Sequence, residues 1–309
     1  MKQNFIIFAA LLLLFAACTT KSNTLVEEGL KGKVKTVKSM CYEAEERFGE
    51  VEKDDILDEW DSDNDLSLYP ACHYEYNKDG NIVKTTKFDE DGDMTEVTTY
   101  EYDDFANLIK ETSYDEDGDV FKMITNKYLK RNLIAQYTYD SDGELDYFWE
   151  YTIQNGKPIN YKESWISSSE EYEYKWSFDG FNIKSFNCYK NGNLTESGEY
   201  MYKNHKLSMF TRKDSLGFVT YKYEAEWSKY GQLLYKKQTS EGIDKLIVNN
   251  EYDEIGNLIQ HTRSGAWSFG DIDYTFKYIS FDEKGNWLGR IIYTKNKAYI
   301  IQERMIEYY

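Results

Sequence analysis

The sequence predicts an all-β protein: a long antiparallel β-meander of about 16 strands, folded as a curved repeat sheet. Three observations lead there. Turn-forming positions recur with a fixed beat, since Gly80, Ala106, Arg131, Gly156, Gly180, His205, Gly231 and Gly256 stand 24 to 26 residues apart. A second series, Gly92, Gly118, Gly143, Gly192, Gly217 and Gly242, keeps the same period once an unmarked turn is placed at "SSSEEY" near Ser168. Each unit of about 25 residues therefore holds two strands and two turns. Between turns the apolar residues alternate: "YEYKWSF" puts Tyr172, Tyr174, Trp176 and Phe178 on one face, and "LDYFWEYTI" does the same with Leu145, Tyr147, Trp149, Tyr151 and Ile153. Successive strand residues point to opposite faces, so such segments are half-buried strands. Finally, 29 Tyr and only 2 Pro suit a chain made mostly of strand.

The first segments lie outside the repeats. Residues 1–17 have one cation, Lys2, then an apolar run from Phe5 to Ala17, and read as a signal peptide too short to span a bilayer. "LFAAC", Leu14 to Cys18, resembles the lipobox of bacterial lipoproteins, which implies lipidation of the Cys18 thiol and cleavage before it. The competing reading is a secreted protein whose cysteine stands at the cut by chance. Residues 18–30 follow as a polar, lipidated tether. With no aspartate at the position after Cys18, retention at an inner membrane is not indicated, and the expectation is a lipid-anchored protein of the cell envelope, at the outer membrane, facing either the periplasm or the exterior. Residues 31–71 do not repeat: "KGKVKTVKSMCYE" reads as a leading strand and "DDILDEWDSDNDLS" as an acidic loop or short helix. The repeats occupy residues 72–309.

Composition narrows the partners. With 55 acidic against 37 basic residues the net charge is −18, and removal of the leader takes Lys2 with it. Phosphate backbones need a basic face, so nucleic acid is excluded as an expected partner. Beyond Cys18 there are three cysteines. Cys41 and Cys72 fall in one region and could pair in an oxidising envelope, but three unevenly spaced cysteines are no disulfide framework.

The turns "FDEDGDM", "YDEDGDV" and "YDSDGEL" look like calcium loops, and their spacing argues otherwise. An EF-hand loop needs glycine at position 6 and Glu at position 12. In "DEDGDVFKMITN" Gly118 comes fourth and Asn126 stands last. A hairpin turn of type I followed by a left-handed residue explains the same letters, with Asp or Asn early and Gly last. Where glycine is missing, Asn107, Asn132 and Asn204 stand beside the slot. Weak calcium binding by clustered carboxylates is the remaining alternative.

"YDEIGNLI", "FDEKGNWL", "YDDFANLI" and "YDEDGDV" resemble the YD repeats of Rhs-type proteins: an aromatic-Asp pair, glycine three residues after the Asp, an apolar residue two further on. The likeness covers residues 72–309 and weakens in the middle, where "IQNGKPI" and "YKNHKL" keep fragments. It implies a meander spiralling into a shell filled by Tyr, Phe and Leu, in a YD-repeat lipoprotein without a toxin domain.

No catalytic constellation emerges, and neither an enzyme nor a cofactor is expected. Cys72 and His73 are strand neighbours pointing to opposite faces, and His205 and His261 read as surface residues without partners at metal spacing. "GAWSFG" has one residue too many before Ser268 for a nucleophile elbow. Two functions from different classes stand: a non-catalytic scaffold contacting another envelope protein, or a glycan-binding module using aromatic faces. Trp165, Trp176, Trp227, Trp267 and Trp287 are the candidate stacking residues; core packing is the competing role for each.

Overall fold

The computed structural model describes residues 24–57, 71–165, 173–266 and 270–309. Among the described residues there are one short helix, α1 (Thr24–Glu27), and 21 antiparallel strands. The first are β1 (Val34–Arg47), β2 (Glu50–Ile56), β3 (Ala71–Tyr76), β4 (Ile82–Phe88), β5 (Met94–Tyr102), β6 (Leu108–Tyr114) and β7 (Val120–Leu129). Next come β8 (Asn132–Tyr139), β9 (Leu145–Gln154), β10 (Lys157–Trp165), β11 (Glu173–Asp179), β12 (Asn182–Lys190), β13 (Asn193–Lys203) and β14 (Lys206–Asp214). The last are β15 (Val219–Trp227), β16 (Leu233–Ser240), β17 (Ile243–Tyr252), β18 (Leu258–Ser264), β19 (Ile272–Phe281), β20 (Trp287–Thr294) and β21 (Lys297–Tyr308). The antiparallel meander is as expected, with more strands than the anticipated sixteen. The fourteen turn positions of the two series fall between strands, and the unmarked turn near Ser168 lies outside the described residues.

Two turn classes make most of the beat, while the two-residue loops Lys130–Arg131 and Gly180–Phe181, with only the first residue at positive φ, belong to neither. In the first, a cap residue opens a five-residue turn. Asp253 Oδ1 accepts the backbone N–H groups of Ile255 and Asn257, at 3.0 and 2.8 Å, while Gly256 N–H donates to the Asp253 carbonyl. The same pattern recurs at Asp89, Asp103, Asp115, Asp140, Asp214 and Asp282, with Asn77 and Ser228 as variants. Only the fourth residue must take positive φ, which is why glycine recurs there. At Ala106 an alanine takes it, with φ of 60°. The second class is a two-residue loop with both residues at positive φ: Asn155–Gly156, Asn191–Gly192, Asn204–His205 and Lys295–Asn296. That is the tight hairpin turn whose twist matches the strands, so "YKNGNL" belongs here and not to the five-residue recipe. Asn107 is not the left-handed residue of its turn; its side chain donates to Asp103 Oδ2 and to the Lys130 carbonyl. In the loop between β7 and β8 Lys130, not Asn132, takes φ of 59°.

A polar stitch recurs at three places along the repeats. Tyr128 Oη donates to the Leu108 carbonyl at 3.0 Å, Trp227 Nε1 to Leu207 at 2.9 Å, and Tyr278 Oη to Leu258 at 3.0 Å, each reaching back 20 residues. An aromatic side chain thus satisfies a carbonyl where the preceding unit leaves its turn, contributing about 1 kcal/mol per bond.

The chain divides into two compact units. One, among the described residues, comprises 102–110 and 122–245. Its core is a run of rings: Tyr147, Trp149, Tyr151, Tyr161, Phe186, Tyr200, Phe210 and Tyr221, with Ile183 and Cys188. The other comprises 24–101, 111–121 and 246–309. There β1 joins the two ends of the chain, pairing with β21 on one side and with β3 and then β2 on the other. Neither β1 nor β21 is left as a free edge, which removes a template for aggregation. Its apolar clusters are Cys41, Leu57, Tyr274, Phe276, Ile292 and Ile300, and separately Leu25, Leu30, Val34, Val37 and Tyr76.

The N-terminal segments are seen in part. Of the tether, residues 18–23 lie outside the described residues, while Leu25 and Leu30 are buried against Tyr76. Asp54 and Asp55, expected in a loop or helix, lie in β2, and 58–70 lie outside the described residues. Cys41, Cys72 and Cys188 are free and buried, so Cys41 and Cys72 are not joined.

Candidate functional site

Cys18 and Trp267 lie outside the described residues, as does the side chain of Trp165 at the end of β10. The other three candidate tryptophans are not brought together. Trp176 packs inside the aromatic run, 4.8 Å from Tyr161 and 5.1 Å from Phe186 between centroids. Trp227 is tied by its indole N–H to Leu207, and Lys206 Nζ stands 4.3 Å from its ring centroid. Trp287, in the other unit, is covered by charge: the guanidinium carbon of Arg304 lies 3.6 Å from its ring centroid and that of Arg290 lies 4.6 Å away.

His261 is buried and not a surface residue, with Nδ1 2.8 Å from Asn250 Oδ1. Its strand pairs it with Tyr274, on the apolar face. Among the described residues no group of three His, Cys, Asp or Glu is placed to hold a metal ion. Of the turn carboxylates that suggested calcium, the leading aspartates are engaged otherwise: Asp115 and Asp140 each accept two backbone N–H groups at Oδ1, and Asp89 accepts that of Asp93.

The most unusual chemistry is the arginine pair around Trp287. Registers place Arg290 opposite Gln302 and Gln302 opposite Cys41, while Arg304 stands opposite Ser39. The site therefore spans β20, β21 and β1. Arg290 Nε donates to Gln302 Oε1 at 2.8 Å, and Gln302 Nε2 donates to Ser39 Oγ at 3.1 Å, both Gln302 and Ser39 being buried. Tyr278 also hydrogen-bonds Arg290. Arg304 Nε is buried and has no hydrogen-bond partner.

Neither guanidinium has an ion-pair carboxylate among the described residues. Burial, then the charge of Arg290, pushes Arg304 down to about 10, with Glu28 acting in the opposite sense. Burial likewise lowers Arg290. Arg304 remains a cation at neutral pH. The alternation Ile300, Gln302, Arg304, Ile306 was the available signal, because it sets Arg304 among apolar neighbours. Sequence alone gave no reason to join it to Ser39, 265 residues away in the chain.

No family model and no curated protein matches the chain. Among solved structures, a porin-like protein from Bacteroides uniformis ATCC 8492 is similar at 10% identity and a TM-score of 0.30, covering 89% of this chain and 96% of that one. A porin-like protein from Bacteroides vulgatus ATCC 8482 is similar at 11% identity and a TM-score of 0.25, covering 90% and 99%. The TcdB2-TccC3 structure is similar at 11% identity and a TM-score of 0.25, covering 73% of this chain and 16% of that one.

Among the described residues no helix is long and apolar enough to cross a membrane.

Proposed function

We propose that the protein is a lipid-anchored YD-repeat scaffold of the cell envelope, held at the outer membrane through Cys18, that binds another envelope protein and performs no catalysis. The observation that carries this is how its carboxylates are used. On two turns, between β4 and β5 and between β6 and β7, the caps Asp89 and Asp115 serve the backbone while Glu90, Asp91, Asp93, Glu116, Asp117 and Asp119 are exposed. An antiparallel meander sets alternate turns at the same end of its strands, so these charges share one rim. Such a rim suits a basic partner, steering encounter at low salt.

The glycan reading loses support from Trp176 and Trp287, whose rings are occupied by protein groups. Trp227 carries a structural hydrogen bond. The test is capture from intact cells with the full chain, beside a glycan array and fractionation of Cys18→Ala. Expected are a basic protein partner released by salt, no sugar signal, and loss of the variant from the membrane fraction. Sugar binding without a protein partner would overturn the scaffold; membrane retention of Cys18→Ala would overturn the anchor.

A further inference from the structure

We propose that Arg290 and Arg304, stacked on Trp287 across β20 and β21, form a binding site for a small multiply charged oxyanion, a phosphate-type or polycarboxylate ligand. This inference is independent of the scaffold reading, since it concerns the buried face of the sheet and not the rim.

Two half-buried guanidiniums share one indole, so they lie close together with like charge. Taking a cation out of water is costly unless it is paired. Most such arginines meet a carboxylate, and this pair has none at ion-pair distance among the described residues. Stacking on an aromatic ring supplies part of the compensation. It also uses only the faces of the planar groups; in the plane, Arg290 Nε is taken by Gln302 while Arg304 Nε has no partner, and such N–H donors are what match the oxygens of carboxylate and phosphate.

The surroundings hold the pair in place. Gln302, fixed by Ser39, orients Arg290, and Tyr278 supports it from β19. Arg304 has a buried Nε with nothing to donate to. An anion held between the forks would satisfy that donor and separate the two charges electrostatically. The cost of keeping two arginines here then has a purpose that an apolar pair could not serve.

The experiment uses the full chain in detergent and measures calorimetric titration and thermal melting with pyrophosphate and with citrate, at ionic strength held constant with chloride. Saturable binding by either anion is expected, with a raised melting temperature; whichever binds tighter tells the phosphate class from the carboxylate class. Arg304→Gln and Arg290→Gln should each weaken it at least tenfold. Without anion, Arg304→Gln should melt no lower than the parent protein, because it removes like-charge repulsion. Should it fail to fold, Arg304→Lys keeps the charge, loses the fork and should weaken binding. No saturable binding by the folded parent, or affinity unchanged in the variants, overturns the proposal.

Discussion

Phe186 lies directly across from Gly198 on paired strands, its ring covering the position where a side chain would begin. A Cβ built on Gly198 would overlap Phe186 Cε1, closer than atoms pack. Phe186 is 2% exposed and sits amid Trp176, Tyr200 and Phe210, so it has nowhere to retreat. Gly198→Ala should cost about 1–3 kcal/mol through overpacking, seen as a lower urea midpoint. Phe186→Ala should cost about 3–5 kcal/mol through the opposite fault, a cavity. A midpoint unchanged in Gly198→Ala would show that the ring moves freely.

Ala106 takes the slot that glycine fills in the sister turns. Relieving its left-handed strain outweighs the added chain entropy, so Ala106→Gly should stabilise by about 0.5–1 kcal/mol. Gly256→Ala, at the corresponding position, should destabilise by a similar amount. Opposite signs at equivalent positions would separate backbone strain from side-chain packing; two changes of the same sign would refute the assignment.

The turn caps make stability acid-sensitive. For Asp103, burial pushes the carboxyl up, but bonds from Asn107 and Phe105 together outweigh it and hold the group below its usual 3.8. Asp282 is also lowered: burial opposes, and bonds from Tyr308, Asn286 and Lys284 prevail. A depressed carboxyl stabilises the folded state above the unfolded value and loses that contribution as pH falls through the folded one. Melting temperature should therefore drop as pH falls below about 4, and Asp103→Asn together with Asp282→Asn should flatten that slope. An unaltered acid profile in the double variant would count against these caps.

Calcium should have no effect on folding. The caps give their side-chain oxygen to backbone N–H groups, as Asp115 Oδ1 does to Asp117 and Asp119 at 3.1 and 2.9 Å, leaving no preformed cage among the described residues. Millimolar calcium and excess chelator should give superimposable melts. A rise in melting temperature that saturates with calcium would restore the weaker alternative.

The thiols should be silent in the native protein. Burial pushes Cys41 up to about 12, with Arg290 and Arg304 opposing and Cys72 reinforcing. Burial raises Cys72 as well. Since the thiolate is the reactive form, an aromatic disulfide reagent at pH 8 should titrate neither until denaturant is added. Rapid labelling of the native protein would contradict their burial.

Much of the fold is written locally. Period-two aromatic segments and Asp-x-x-Gly turns needed only a few neighbouring residues, so strands and turn positions could be read from the chain. The two turn classes were harder to separate, because a polar residue followed by glycine occurs in both, as at Asp79-Gly80 and Asn191-Gly192, and only the strand register tells a two-residue loop from a five-residue one. His261 was misplaced on the surface because its polarity said nothing of Asn250, the partner that makes burial tolerable.

What the sequence determined by itself was the repeat: a 25-residue hairpin beat whose carboxylates cap turns and whose rings face inward, since backbone geometry and side-chain alternation act over short distances. Only the tertiary structure decided where the ends meet. Setting Ser39 and Cys41 of β1 against Arg304 and Gln302 of β21 builds the arginine pair's surroundings from residues more than 250 apart. Strand pairing at that distance depends on the accumulated course of every strand between, and no local pattern carries it.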